Sequence, residues 1–500
     1  MQNPNDLYHD VAKHKSRRQF LQDSMLGLGG LTLSMLMGSD ASLSGEDADG
    51  EESSVGRLQE PHFAPQAKHV IFLHMAGAPS QLELFDYKPK LAELDGKPTP
   101  DSLLNGKEFA FIQGTPKLLG PKAEFDRYGD SGTWVSNRLP HFQEIVDDVT
   151  FLKAMHTDEF NHAPAQLMMY TGSPRPGRPS MGSWATYGLG SENENLPSFV
   201  VLLSGKNKPS AGKNTWGSGF MPSVYEGVQC RSKGDPILYV DNPDGLPRSV
   251  RKQQQEVIER LNQKNAEKFG DQQTLSRIEQ YELAYKMQMS VPEVMNIAEE
   301  PEEVHEMYGT EPGKKSFANN CLLARRLVER GVRFVNLFDW GWDSHGTSGQ
   351  TGLKEGFVKR CKNVDKPMTA LVKDLKQRGL LDETLIVWGG EFGRTPMLEN
   401  RNGVSNSFIG RDHLNSAFTM WMAGGGVKKG KVHGKTDELG YKGIDGQVHV
   451  HDLQATILNQ LGFDHKKLTY RHQGRDFRLT DVHGHVVDDI LEKNPNPSMT

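Results

Sequence analysis

Six short apolar runs, separated by stretches with helical spacing, constrain this chain more than any other feature. They are Lys68–His74, Val149–Ala154, Pro197–Leu203, Arg333–Phe338, Thr384–Trp388 and Ala417–Met422. Each is five to seven residues long and bounded by turn or polar residues, as expected of strands buried on both faces. Helical patterns lie between and after them. Asn319–Arg330 carries Leu322, Leu323, Ala324 and Leu327 on one face and stops at Gly331. Val364–Arg378 carries Met368, Leu371, Val372 and Leu375 and stops at Gly379. His451–Leu461 follows, with Asp452 as the expected N-cap and Gly462 as the stop. Strands alternating with helices imply an α/β fold with a mostly parallel central sheet.

The flanks read differently. Residues 1–41 have a polar, basic-leaning start, then Ser16-Arg17-Arg18-Gln19-Phe20-Leu21 and a weakly apolar run from Met25 to Met37. That layout, with its paired arginines, is expected to be a twin-arginine export signal. The apolar run is too short for a transmembrane anchor of about 20 residues. Residues 42–66 are expected to form a flexible linker, 67–485 the folded domain, and 486–500 a disordered tail. Residues of about 250–310, rich in Gln, Glu and Lys, suggest an inserted helical arm. The net charge of −6 gives no basic footprint for nucleic acid. Three widely spaced cysteines exclude a cysteine-rich zinc module.

In parallel α/β sheets, ligands bind beyond the carboxyl ends of the strands. Acids and histidines recur there. His74 ends the first run, and His162 follows the second. Asp343 and His345 follow the fourth, Glu391 and Arg394 the fifth, and His413 stands just before the sixth. Carboxylate oxygen and imidazole nitrogen from several strands are what a divalent metal site needs. In an extended Asp343-Ser344-His345 both outer side chains face one side. Asp343, His345, Glu391, His413 and His74 are therefore the candidate ligands of zinc, manganese or calcium. His162 is a candidate ligand, general base or nucleophile. Arg394 offers a planar donor fork for an anion.

Several segments occur together in one order. They include His74-Met-Ala-Gly-Ala-Pro-Ser-Gln81, Asn161-His-Ala-Pro-Ala165 with Tyr170-Thr-Gly172, Gly341-Trp-Asp-Ser-His-Gly346, Gly390-Glu-Phe-Gly-Arg-Thr-Pro396 and Gly410-Arg-Asp-His413. This pattern resembles the large secreted bacterial family labelled domain of unknown function 1501, which is grouped with alkaline phosphatases and sulfatases. The resemblance implies a three-layer α/β/α sandwich with a metal site at the strand ends. In the sulfatase pattern a Cys-x-Pro-x-Arg turn bears the nucleophile; here His162 takes the place of the nucleophile and Gln166 that of the arginine. Glu391 matches a family aspartate, and His74 another. The expected function is an exported metal-dependent hydrolase of a small or polymeric phosphate or sulfate ester. The alternative is a non-catalytic envelope protein of the same fold that binds polysaccharide or a protein partner.

Overall fold

The computed structural model describes residues 60–492, apart from 105, 107–108, 194, 206, 232–259, 261–290 and 402–403. The expected export signal and most of the linker and helical arm lie outside the described residues. In chain order the main elements are β1 (His69–Ala76), β2 (Val149–His156), α1 (His162–Thr171), α2 (Met181–Leu189), β3 (Phe199–Leu203) and β4 (Val228–Cys230). Then come α3 (Phe317–Glu329), β5 (Phe334–Trp340), α4 (Gly356–Gln377), β6 (Thr384–Gly389) and β7 (Phe418–Ala423). Two short strands, β8 (Val432–His433) and β9 (Val448–His449), precede α5 (Val450–Gln460).

The strands form one nine-stranded sheet in the order β8-β2-β7-β6-β1-β5-β3-β4, with β9 also pairing with β2. β1 lies at its centre, parallel to β5 and to β6. Every residue of β1 is buried. β7 runs antiparallel to both β2 and β6, whereas the other pairings in this sheet are parallel. The sheet is thus mostly parallel, as the apolar runs imply.

Alternation along each strand builds two separate cores. Ile71, Leu73, Val335, Leu337, Ile386 and Trp388 face one side, where they pack with residues of α3 and α4. Val70, Phe72, Phe334, Phe338, Leu385 and Val387 face the other, with residues of α1, α2 and α5. Each such side chain, fully buried, is worth about 1.5–3 kcal/mol relative to exposure. The result is a three-layer α/β/α sandwich.

Local differences from the sequence reading have simple causes. α4 begins eight residues before Val364, because Phe357 and Cys361 extend the same buried face. In α5 the N-cap is His449, and Asp452 is the third helical residue, whose carboxylate accepts from the His449 backbone N–H at 2.9 Å. The segment His162–Pro164 is the first turn of α1, with Asn161 as N-cap. Proline is tolerated there because the first helical N–H groups have no partner inside the helix. Residues 291–310 of the arm pack onto α4 through Tyr308, whose hydroxyl donates to Asp374 at 2.9 Å. Residues 486–492, expected as part of a disordered tail, carry a 3-10 turn over Asp488–Ile490 with Ile490 wholly buried. Among the described residues no helix is long and apolar enough to cross a membrane.

Candidate metal centre

The carboxyl ends of β1, β2, β5 and β6 share one edge of the sheet, and so does the start of β7, because β7 runs the opposite way. That reversal brings His413 to the site. Gly393–Arg394 pairs antiparallel with His413–Leu414, so the loop after β6 and the entry to β7 are locked together. Gly77, after β1, has φ of +107°, and a Cβ there would lie 2.6 Å from the Asp343 backbone nitrogen. Glycine at this position lets the β1 and β5 loops touch.

His162, Asp343, His345 and His413 each offer a ligand atom, and these atoms all lie within 4.8 Å of one another. The three Nε2 atoms converge on Asp343 Oδ1, at 3.2 Å from His162, 2.8 Å from His345 and 3.4 Å from His413. Each Nδ1 is held from behind by an acceptor. That of His162 lies 2.7 Å from Glu391 Oε1, and that of His413 lies 2.7 Å from the Phe160 carbonyl. That of His345 meets Glu399 Oε2. A carbonyl only accepts, so Nδ1 of His413 carries the proton and Nε2 offers a lone pair. The same assignment for His162 and His345, each backed by a carboxylate, aims three lone pairs at one carboxylate oxygen. That arrangement is repulsive unless protons or a cation lie between. His162 Nε2 is buried, with Asp343 Oδ1 3.2 Å away. Imidazoles fixed by outer carboxylates or carbonyls are the usual support of a metal-bound histidine. The donor set fits a divalent ion.

Without an ion, the electrostatics place a proton between His162 and Asp343 instead. Burial opposes the charged form of Asp343, but the Arg394 guanidinium and the three imidazoles hold its carboxyl far below the usual range. Burial disfavours a charged His162, yet hydrogen bonds to Asp343 and Glu391 raise it to about 9. Burial takes His413 the other way, to about 3, with Asp343 opposing and Arg394 reinforcing the shift. Neighbouring groups pushed this far apart mark a functional site more often than a packed edge.

A family profile described as "Protein of unknown function (DUF1501)" matches residues 67–491. The chain belongs to this family. No curated protein matches the DUF1501 chain in sequence. Among solved structures, the lipoteichoic acid synthase LtaP of Listeria monocytogenes superposes with a TM-score of 0.36 at 10% identity, over 85% of this chain and 78% of that one. The sulfatase PsFucS1 of a Pseudoalteromonas species gives 0.34 at 12% identity, over 79% and 68%. The phosphonate monoester hydrolase SpPMH of Silicibacter pomeroyi gives 0.34 at 12% identity, over 86% and 78%.

Three of the residues singled out in the DUF1501 sequence occupy places other than the ones expected. Glu391 lies behind the ligand atoms. Its oxygens accept from His162 Nδ1, from Gln166 Nε2 at 3.0 Å and from the Gly77 N–H at 3.0 Å, with His74 Nε2 at 3.2 Å. It is wholly buried and ionised, because the imidazoles of His162 and His74 outweigh the burial that opposes its charge. It therefore orients His162 from behind and lies outside the group of four convergent ligand atoms. His74 is one step further back, fully buried among Phe72, Tyr170 and Phe338. Arg394, expected to hold an anion, is also fully buried. Its Nε donates to the Ala78 carbonyl at 3.0 Å and its Nη1 to the Arg411 carbonyl at 3.1 Å. Its Nη2 donates to the Gly77 carbonyl at 2.5 Å and to Asp343 Oδ1 at 2.6 Å. Four of its five N–H groups are so engaged, and full burial keeps the head out of a substrate's reach.

Sequence reasoning missed Glu399. It lies ten residues past its strand, on a loop with neither strand nor helix spacing, so nothing local marks it. Its carboxylate stays ionised because hydrogen bonds to His345 and Arg401 outweigh the burial that opposes charge. Glu399→Gln keeps the shape and removes the charge behind His345. Metal affinity is expected to fall by about 10–100-fold with the ligand set intact. Titration with zinc against a competing chelator measures it.

Proposed function

We propose that the DUF1501 chain is an exported metal-dependent hydrolase of a phosphate or sulfate ester. One observation carries the reading: three imidazoles, each fixed at Nδ1, turn Nε2 toward one carboxylate oxygen. His162, Asp343, His345 and His413 would hold the ion. Three nitrogens and one carboxylate suit zinc first and manganese second; calcium takes 6–8 oxygen ligands and fits poorly. A bound ion would supply Lewis-acid polarisation of the ester oxygen and acidify a water.

The protein's part is to orient and to shield. Glu391, Glu399 and the Phe160 carbonyl fix the three rings, and Phe392 stacks on His162 with centroids 5.0 Å apart. Asp343 is the most open member of the cluster, with 32% of its side chain exposed, so substrate would approach from its side. Ser344, between Asp343 and His345, is buried and donates to the Trp342 carbonyl. It is not presented as a nucleophile, which favours direct attack by water.

Gently purified protein is expected to carry about one divalent ion per chain, enough for a four-ligand site. It should cleave aryl phosphate or aryl sulfate, lose that activity with chelator, and regain it with zinc or manganese. Metal without turnover on either ester class would favour the second reading, a non-catalytic envelope protein that binds polysaccharide or a protein partner. The sequestered fork of Arg394 favours that alternative. Absence of metal, with no thermal stabilisation by zinc or manganese, would remove the hydrolase reading and leave the non-catalytic one.

Export rests on Arg17 and Arg18 followed by Phe20-Leu21. Changing both arginines to lysine is expected to leave the protein in the cytoplasm, as read by cell fractionation. Unchanged export would remove that part of the proposal.

A further inference from the structure

With Arg394 turned inward, an anionic substrate needs another positive group. Asp343 stands among the three imidazoles, and Glu391 and Glu399 back two of them, so the cluster is rich in carboxylates. The rim supplies a candidate. Arg401 lays its guanidinium over the ring of Phe111, 4.0 Å from the centroid. Its Nε donates to Glu399 Oε1 at 2.8 Å, the carboxylate whose other oxygen holds His345. Among the described residues its Nη1 and Nη2 have no partner. The side chain is 38% exposed.

Phe111 is placed as firmly. Its ring stands edge-on to His345 at 4.9 Å and to His413 at 5.9 Å. The Phe111 and Ile112 N–H groups both donate to Asp412 Oδ2, next to His413. Asn400 exchanges two hydrogen bonds with the backbone of Gln113, at 3.2 and 3.0 Å. Beyond the short pairing of Asn400–Arg401 with Val404–Ser405, the Asn406 amide donates to the His345 carbonyl at 2.6 Å. Both segments are thus stitched to the metal ligands. An aromatic platform beneath and a carboxylate at Nε leave the outer edge of the guanidinium facing outward, the geometry that grips two oxygens of a phosphate or sulfate.

We propose that Arg401, supported on Phe111, is the residue that grips the anionic group of the substrate. This rests on the ester reading above and names its specificity residue. The test uses zinc-loaded protein and inorganic phosphate and sulfate as probes, by calorimetry and, where turnover exists, by inhibition. Arg401→Ala is expected to weaken phosphate or sulfate binding at least about tenfold, with Arg401→Lys between it and wild type. In the ester assay KM rises more than kcat falls. Phe111→Ala, which leaves the Arg401–Glu399 contact untouched, should weaken the same anion about three- to tenfold. Bound zinc stays near the wild-type level in all three variants. Unchanged anion affinity in Arg401→Ala overturns the proposal. So does loss of zinc in Arg401→Ala with unchanged anion affinity in Phe111→Ala, which would make Arg401 a support of Glu399. Wild type that binds phosphate through Arg401 but cleaves no ester would refute hydrolysis and uphold the anion grip.

Discussion

Asp343→Asn and His345→Ala are each expected to empty the metal site, and they should differ in what they do to the fold. Asp343 supplies the negative charge at the point where the three Nε2 atoms meet, with Oδ1 2.8 Å from His345 and 2.6 Å from Arg394 Nη2. Asparagine keeps the shape and an acceptor but removes the charge that offsets a divalent ion. The fall in affinity should exceed the 10–100-fold typical of losing an outer hydrogen-bond partner, so at least about 100-fold. His345→Ala removes a ligand and leaves the Arg394–Asp343 pair whole. Both proteins should therefore carry well below one ion per chain by elemental analysis. Only Asp343→Asn leaves Arg394 buried without its counter-charge, and only it should unfold at a clearly lower denaturant midpoint. If both variants retain wild-type metal, the cluster is a polar packing edge.

Much of the scaffold was legible because central parallel strands are buried on both faces. Lys68–His74 and Thr384–Trp388 read as near-continuous apolar runs for that reason. The strand-end rule then pointed to Asp343, His345 and His162. Strand direction left no such mark. His413 precedes its strand, and in a wholly parallel sheet that would place it at the opposite edge; the antiparallel course of β7 puts it beside Asp343. Nor does sequence say which way a polar head faces. Glu391 and Arg394 were found by residue type and position, but whether each meets an ion, a substrate or other protein groups depends on what packs around it. Gly77, Ala78 and Arg411 supply the carbonyls that claim Arg394, and they come from two loops far apart in the chain. Arg401 belongs to a hairpin of two residue pairs and Glu399 directly precedes it, too short a unit to show any hydrophobic period.

The largest effect on stability is expected at Arg394. Arg394→Met replaces a fully buried guanidinium with an apolar chain of similar reach. It leaves the carbonyls of Gly77, Ala78 and Arg411 without their donor and Asp343 without its nearest positive charge. Breaking a buried pair from one side costs about 3–5 kcal/mol, since the remaining charge stays uncompensated. Three orphaned acceptors push toward the upper end, while the partial exposure of Asp343 lets water relieve some of the loss. Arg394→Lys keeps the charge but offers a point where the site needs a fork, so a smaller loss of about 1–3 kcal/mol is expected. Urea midpoints measure both. An anion-holding Arg394 would give the opposite pattern, a raised KM or weakened phosphate binding at unchanged stability. The two roles of arginine at this site are thus separable by experiment: Arg394 reads out in folding and Arg401 in anion affinity.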